Sequence, residues 1–377
     1  MSTPTATRLQ AADASVTVVS NTVFVTDWAR RYFGPWWNAY TIDTDSNCPA
    51  PLVVADVNQP AYADLATLID ACPHQEVTYA KARTLLARDR AGTITAISPE
   101  EGLAYRSEPE AGRLTITGLT AEPVALAAAR IAREMIRATL LRDGWTLLHA
   151  SAVARDGKTL LTFGSKGAGK TTTALLLASR GLHLLANDRV FIRPDGDGLQ
   201  VLPWPSAAAI GLGLLDALGL YDIVRDRLKA GEQLHPTQHQ DVTDALLAGR
   251  REPLWEAGGK REKKVQVFPD QFTSWFGMTL ATGGTAAGLL FPRIDPAASP
   301  ALIEDDRTLS EQDFMSGATE DRYPDIFALA HGIDGGGSER ARATVADHLA
   351  QLPHHPVVLG HDANANADFL SKLADSI

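Results

Sequence analysis

Gly164-Ser165-Lys166-Gly167-Ala168-Gly169-Lys170-Thr171 spells a complete G-x-x-x-x-G-K-T loop. It lies between the apolar run Thr159-Leu160-Leu161-Thr162-Phe163 and an Ala/Leu-rich helical pattern from Thr172 to Arg180 that stops at Gly181. Strand before and helix after are the setting in which such a loop can act. Its glycines let successive backbone N–H groups turn toward phosphates, and the helix N-terminus adds partial positive charge. Lys170 can then reach the outer phosphates, and the Thr171 hydroxyl can ligate Mg²⁺. The pattern predicts a nucleoside triphosphate held by Gly164, Ser165, Lys166, Gly167, Ala168, Gly169, Lys170, Thr171 and Thr172. It does not identify the group that receives the phosphoryl.

Working outward, Trp145 to Val153 and Lys158 to Phe163 read as strands joined at Asp156-Gly157, and Leu182 to Ala186 reads as a strand after the helix. Val190 to Arg193 and Leu199 to Leu202 read as a hairpin around Asp195-Gly196-Asp197-Gly198. Later helices are predicted at Ala207 to Leu218, Val242 to Leu247 and Glu339 to Leu352, with a glycine-rich loop over Gly332 to Gly337 and a closing strand over Pro356 to Gly360. Upstream, Val16 to Ser20, Val23 to Asp27, Leu52 to Ala55, Thr93 to Ile97 and Leu114 to Thr117 read as short strands. Ala121 to Leu141 carries a long amphipathic helical pattern. The fold class expected is α/β, with an N-terminal mixed β-rich domain over 1–125, a candidate for substrate recognition, and a nucleotide-binding domain over 126–377. Trp28, Tyr32, Phe33, Trp36 and Trp37 can line an acceptor site, but such clusters are more often core.

Leu148-His149-Ala150-Ser151-Ala152-Val153, then the loop, then Leu184-Leu185-Ala186-Asn187-Asp188-Arg189-Val190 and Leu202-Pro203-Trp204-Pro205 form an ordered set. This order is similar to the HPr kinase/phosphorylase-like family, including kinases of lasso-peptide gene clusters. The resemblance covers about residues 130 to 360, with specific motifs only over about 145 to 205. It implies a P-loop kinase domain related to phosphoenolpyruvate carboxykinase, ATP and Mg²⁺ as cofactors, and phosphorylation of a hydroxyl. It also implies a functional His149 and a lysine, Lys263 or Lys264, near the site. The family carries two consecutive aspartates, the first taken as the base, where this chain has Asn187-Asp188. A second departure is Ile210-Gly211-Leu212-Gly213-Leu214-Leu215, where bacterial HPr kinases carry an arginine and an acidic residue.

Residue chemistry leads to the same group of positions. Phosphoryl transfer needs positioning, charge neutralisation and an acidic partner. Asp188, at a strand end beside the loop, can hold Mg²⁺ or accept the proton of an attacking hydroxyl, where the bland alternative is a surface-turn aspartate. His149 can hydrogen-bond that acid or a phosphate. Asn187 cannot take a proton, yet its amide can orient a hydroxyl or a metal-bound water. The catalytic set is therefore Asp188, Lys170, His149 and Asn187, with Thr171 and Asp188 as metal ligands. Arg189 and Arg193 can face the same cleft. The basic run Lys260-Arg261-Glu262-Lys263-Lys264 reads either as a lid or as solvated surface. His235, His239, His354 and His355 show no metal spacing.

The formal net charge of −10 argues against nucleic acid as the main partner. Cys48 and Cys72 form no C-x-x-C pair or zinc array, which suits a reducing cytoplasm. No window approaches the roughly 20 apolar residues of a membrane span, and no secretory start is present. Expected partners are ATP and a hydroxyl-bearing peptide or small molecule; oligomerisation is left open. Against the kinase stand a nucleotide-binding regulator or inactive kinase-like subunit, motivated by Asn187, and a plain NTPase. The latter is weakened by the lack of an Asn/Thr-Lys-x-Asp guanine-reading motif.

Overall fold

Alternating β-branched residues build the first sheet, and a computed structural model describes residues 3–44, 48–259, 261–305, 307–315, 324–330, 333 and 335–376. By internal contacts the chain divides into Met1–Thr146 with Met315–Glu339, and Leu147–Phe314 with Arg340–Ile377. The first unit contains β1 (Thr5–Ala11), β2 (Ala14–Ser20), α1 (Val23–Phe33), β3 (Asn38–Ile42), β4 (Leu52–Val57), α2 (Gln59–Asp70), β5 (Gln75–Tyr79), β6 (Ala82–Arg88), β7 (Ile94–Ser98), β8 (Leu103–Glu108), β9 (Arg113–Gly118) and α3 (Ala121–Arg142). Its nine-stranded sheet runs β3-β1-β2-β4-β9-β8-β7-β6-β5. The β2–β4 and β4–β9 pairs are parallel and the remaining neighbours antiparallel. Helix α3 packs on β2, β4, β9 and α1. A Cβ on Gly118 would come within 2.4 Å of Val124 Cγ2, so glycine permits that close approach.

Val23 to Asp27 is the start of helix α1, not a strand. The periodicity explains the outcome: Val25, Ala29 and Phe33 recur at intervals of four, as do Trp28 and Tyr32, and all five are buried. Burying each large side chain stabilises by roughly 1.5–3 kcal/mol, which outweighs a helix-propensity deficit of about 0.5 kcal/mol for valine. Trp28, Tyr32, Phe33, Trp36 and Trp37 are at most 7% exposed, and Phe33 stacks on Trp37 with centroids 5.3 Å apart. These aromatics are core. The division expected at residue 125 falls inside α3, which runs unbroken to Arg142.

The second unit comprises β10 (Thr146–Leu148), β11 (Ser151–Arg155), β12 (Lys158–Thr162), α4 (Lys170–Ser179), β13 (His183–Ala186), β14 (Val190–Asp195), β15 (Gly198–Pro203), β16 (Ala208–Ile210), α5 (Leu212–Ala217), α6 (Tyr221–Lys229) and α7 (Gln240–Leu247). It continues with β17 (Leu254–Trp255), β18 (Glu262–Lys263), β19 (Val265–Val267), α8 (Pro269–Ser274), β20 (Gly284–Ile294), β21 (Ala301–Leu302), α9 (Glu339–Leu349), β22 (His354–Leu359) and α10 (Ala363–Ala374). The sheet order is β10-β14-β15-β20-β12-β11-β13, with β22 on β20 and β21 on β22. Strand β20 lies parallel to β12 and β22, while β11 lies antiparallel to β12 and β13. The architecture is mixed α/β. Leu161, Phe163, Leu185, Val190, Leu289 and Phe291 fill its core against Val345 and Leu349 of α9.

Two expectations for this unit change. Trp145 to Val153 is not one strand, because β10 ends at Leu148 and β11 begins at Ser151, leaving His149 and Ala150 between them. Ala207 to Leu218 is not one helix: Ala208–Ile210 pairs with Val265–Val267, and the helix starts only after Gly211. A Cβ at Gly211 would meet Glu262 Oε1 at 2.5 Å, so the Glu262 carboxylate end rests against this glycine. Gly332 of the expected glycine-rich loop and Lys260 of the basic run lie outside the described residues. Among the described residues no helix is long and apolar enough to cross a membrane.

Candidate functional site

The Phe163 N–H donates to Leu290 O at 2.9 Å, and the chain then leaves the sheet into the loop. Gly164 and Gly169 hold φ of 153° and 104°, in the region that favours glycine. Added Cβ atoms there would meet Ala168 Cβ at 2.7 Å and Ile294 Cδ1 at 2.9 Å. The cradle is thus formed by main chain pressed against β20. Ala168 N–H reaches Ser165 O at 3.1 Å. Among the described residues, the backbone N–H groups of Ser165, Lys166, Gly167 and Gly169 have no partner within the protein. Such a row of unpaired donors at a helix N-terminus suits an anion.

Lys170 opens α4, is 7% exposed, and turns back on the loop, donating through Nζ to Gly164 O at 2.6 Å and Ser165 O at 3.3 Å. Burial pulls its pKa below the ordinary lysine value, opposed by the charges of Asp188 and Asp313. Ser151 Oγ donates to Lys170 O at 2.8 Å and ties the first helical turn to β11. Thr171 Oγ1 donates to Asn187 O at 3.4 Å, which brings the loop's threonine against the end of β13. Thr172, next along, is half-buried.

Asn187 and Asp188 follow β13. Asn187 is 5% exposed, and its Oδ1 accepts from Ser206 Oγ at 3.3 Å. Asp188 is more open: its carboxylate lies 3.4 Å from His149 Nε2 and 3.4 Å from Arg189 Nε. The Arg189 guanidinium is 5.7 Å from the Trp204 ring centroid. His149, in the gap between β10 and β11, donates its backbone N–H to Asp313 O at 2.8 Å. Burial lowers the His149 pKa below 6.5; Asp188 and Asp313 raise it, while Lys170 and Arg189 lower it further. The imidazole is therefore neutral at pH 7 and can donate or accept one hydrogen bond.

The sign of this shift gives a stability test. Because the folded His149 pKa lies below 6.5, the unfolded chain binds more protons in the window between the lowered value and 6.5. Stability contributed by this group is present above pH 6.5 and is lost as pH falls through the folded value. Urea midpoints should therefore drop on acidification below pH 6.5, and His149→Gln should show a smaller drop. An identical acid response in the variant would exclude the burial of His149 as the cause.

The structure brings Lys170, Thr171, Asn187, Asp188 and His149 together and leaves others apart. Lys263 pairs with Asp241, and Lys264 lies 3.9 Å from Glu262. Arg193 sits farther along β14. His235 is 5% exposed, bonds Thr237 and packs on Phe268, while His239 caps α7 through Asp241 N. Among the described residues no three His, Cys, Asp or Glu side chains form a metal cluster. A divalent cation here would take Thr171 Oγ1 and the Asp188 carboxylate, with phosphate and water oxygens completing the shell, a donor set that suits Mg²⁺.

Four neighbours escaped the sequence reading: Ser151, Ser206, Arg307 and Asp313. Ser310-x-x-Asp313 is a capping-box spacing and was a visible signal. Ser151 lies inside the Leu148-to-Val153 motif, which gave it no role of its own, and Ser206, an isolated serine, shows no pattern.

The chain is a mixed α/β protein in which a glycine loop and an acidic strand end lie side by side. No family model matches the chain. The HPr kinase/phosphorylase of Treponema pallidum (strain Nichols) is 25% identical over 205 residues, covering 47% of this chain and 62% of the relative. That of Exiguobacterium sibiricum is 36% identical over 81 residues, 20% of this chain and 26% of the relative. The chain thus spans less than two thirds of each. Among solved structures, the Hpr(Ser) kinase/phosphatase from Coxiella burnetii matches with a TM-score of 0.22 and 13% identity, over 42% of this chain and 66% of that one. The chain is similar in sequence to HPr kinase/phosphorylases at low identity and over part of their length.

Proposed function

We propose that the chain is a P-loop kinase that transfers the γ-phosphoryl group of Mg·ATP to a hydroxyl of a peptide, protein or small metabolite. A biosynthetic role of the kind served by lasso-peptide-cluster kinases fits this reading. The observation that carries it is the meeting of Thr171 with the Asn187-Asp188 strand end, which sets the loop, a cation-binding hydroxyl and a carboxylate side by side. The loop N–H groups and Lys170 hold the phosphates. Mg²⁺, held by Thr171 and Asp188, supplies neutralisation of charge on the phosphate oxygens.

Asp188 takes the acceptor's proton as the hydroxyl oxygen bonds to the γ-phosphorus and the bond to the β–γ bridging oxygen breaks. His149 and Arg189, each 3.4 Å from that carboxylate, orient it. Asn187 cannot serve as base; with Oδ1 occupied by Ser206, its amide N–H groups are left to orient an oxygen of acceptor or phosphate. The first unit is the candidate for acceptor recognition, and the compartment is the cytoplasm.

The test is transfer of label from γ-labelled ATP, with Mg²⁺, into host peptides and metabolites. One discrete labelled product establishes the kinase; nucleotide binding without transfer excludes it and leaves a regulatory subunit. That second reading draws on Asn187. Asn187→Asp separates the two: a working design predicts unchanged or lower transfer, within about tenfold. A rise well beyond tenfold would mean a decayed site.

A further inference from the structure

Ser206 sits where the β14–β15 hairpin carries it. Val190 of β14 faces Pro203 of β15, and one step on the Trp204 N–H donates to Arg189 O at 3.3 Å. Two further steps in the same count set Ser206 opposite Asn187, and there Ser206 Oγ donates to Asn187 Oδ1 at 3.3 Å. Beyond Ser206 the chain enters β16, which pairs with β19. The serine is thus fixed on both sides by strand pairing. Asn187 is held at its main chain too, since its carbonyl accepts from Thr171 Oγ1 at 3.4 Å, and it is 5% exposed.

What remains is the amide. One end of it only accepts hydrogen bonds and the other only donates. A half-turn about its last side-chain bond exchanges the two and leaves the shape almost unchanged, so packing alone does not choose between them. A carboxylate has no such ambiguity, because its oxygens are alike. At the position where the resemblance puts an aspartate, this chain therefore needs a partner that holds the amide one way round. Ser206 is the side chain that bonds it. With Oδ1 engaged, Nδ2 is turned away, and among the described residues it meets no partner.

We propose that Ser206 is a positioning residue for the transfer site: it holds the Asn187 side chain by Oδ1 and so presents Nδ2, the end that can only donate, to an oxygen of acceptor or phosphate. The inference deepens the kinase reading and rests on it for its catalytic meaning, while the orientation it asserts can be measured without turnover.

Neutron diffraction from deuterated crystals of the full chain distinguishes the Asn187 amide deuterons from its oxygen. The Ser206 deuteron should point at Oδ1, with both Nδ2 deuterons directed away; Nδ2 facing Ser206 overturns the proposal. In the transfer assay, Ser206→Ala should lower kcat about tenfold with the KM for Mg·ATP nearly unchanged, and Ser206→Thr, which keeps the hydroxyl, should stay within about twofold of wild type. Asn187→Ala should lose at least as much as Ser206→Ala, and combining the two should change kcat by no more than about twofold further, as for residues that act through one contact. A serine that merely supports the strands would cost the same in both backgrounds, and that result, or full activity in Ser206→Ala, overturns the proposal. If Ser206→Ala does not fold, the neutron map decides alone. Absence of transfer by wild type would sink the kinase reading and leave the neutron map to judge Ser206; wild-type transfer with an unaffected Ser206→Ala would sink only the role of Ser206.

Discussion

Lys170→Ala should reduce Mg·ATP-dependent phosphoryl transfer by at least about 10²-fold, the usual loss when one preorganised donor to a transition-state oxyanion is removed. The ammonium turns back on the loop, with Nζ 2.6 Å from Gly164 O. Alanine leaves neither charge nor reach. The fold should survive. Burial depresses the Lys170 pKa, so the unfolded chain holds that proton more firmly between the lowered value and 10.5. The native charge is thus a net burden at neutral pH, relieved as pH rises, and alanine removes it. Melting within a few degrees of wild type is the expected control. Wild-type transfer rates in this variant would remove the loop from the reaction.

Asp188→Ala should abolish transfer, by about 10²–10⁴-fold, while nucleotide affinity changes far less. The carboxylate is the sole acidic side chain that contacts His149 among the described residues, and its two oxygens face His149 and Arg189 separately. In the proposed reaction, removing it takes away the proton acceptor and one metal ligand, yet leaves the loop N–H groups and Lys170 to bind phosphate. Binding of a fluorescent ATP analogue beside single-turnover transfer separates these effects. Full activity would exclude Asp188 from the chemistry. Loss of binding in parallel would make it a nucleotide residue only.

The loop, its helix and Asp188 were legible because each rests on local chemistry: glycines at fixed offsets, a lysine at the helix start, an acid closing an apolar run. The register of His149 was not. Its segment, Trp145 to Val153, sets Thr146, His149 and Ser151 among apolar residues without marking a turn, so the pattern could not show that the strand breaks there; the His149 N–H is taken by the carbonyl of Asp313, more than 150 residues away in sequence. Val23 to Asp27 misled for the opposite reason, since β-branched residues outweighed a helical stripe completed only by Trp28, Tyr32 and Phe33. Likewise, Lys263 read as part of a lid or of solvated surface, although it pairs with Asp241 of α7. Long-range partners of this kind leave no trace in spacing.

The inward fold of Lys170 also bears on where its strength is spent. Its ammonium is already satisfied by two carbonyls of its own loop. An arriving triphosphate gains no rescued orphan charge; it must displace those oxygens, and its gain is only the difference between a charged phosphate oxygen and a neutral carbonyl. The difference widens as charge builds on the bridging oxygen in the loose transition state. A lysine held in this way discriminates between substrate and transition state, and favours the fleeting species over the bound one.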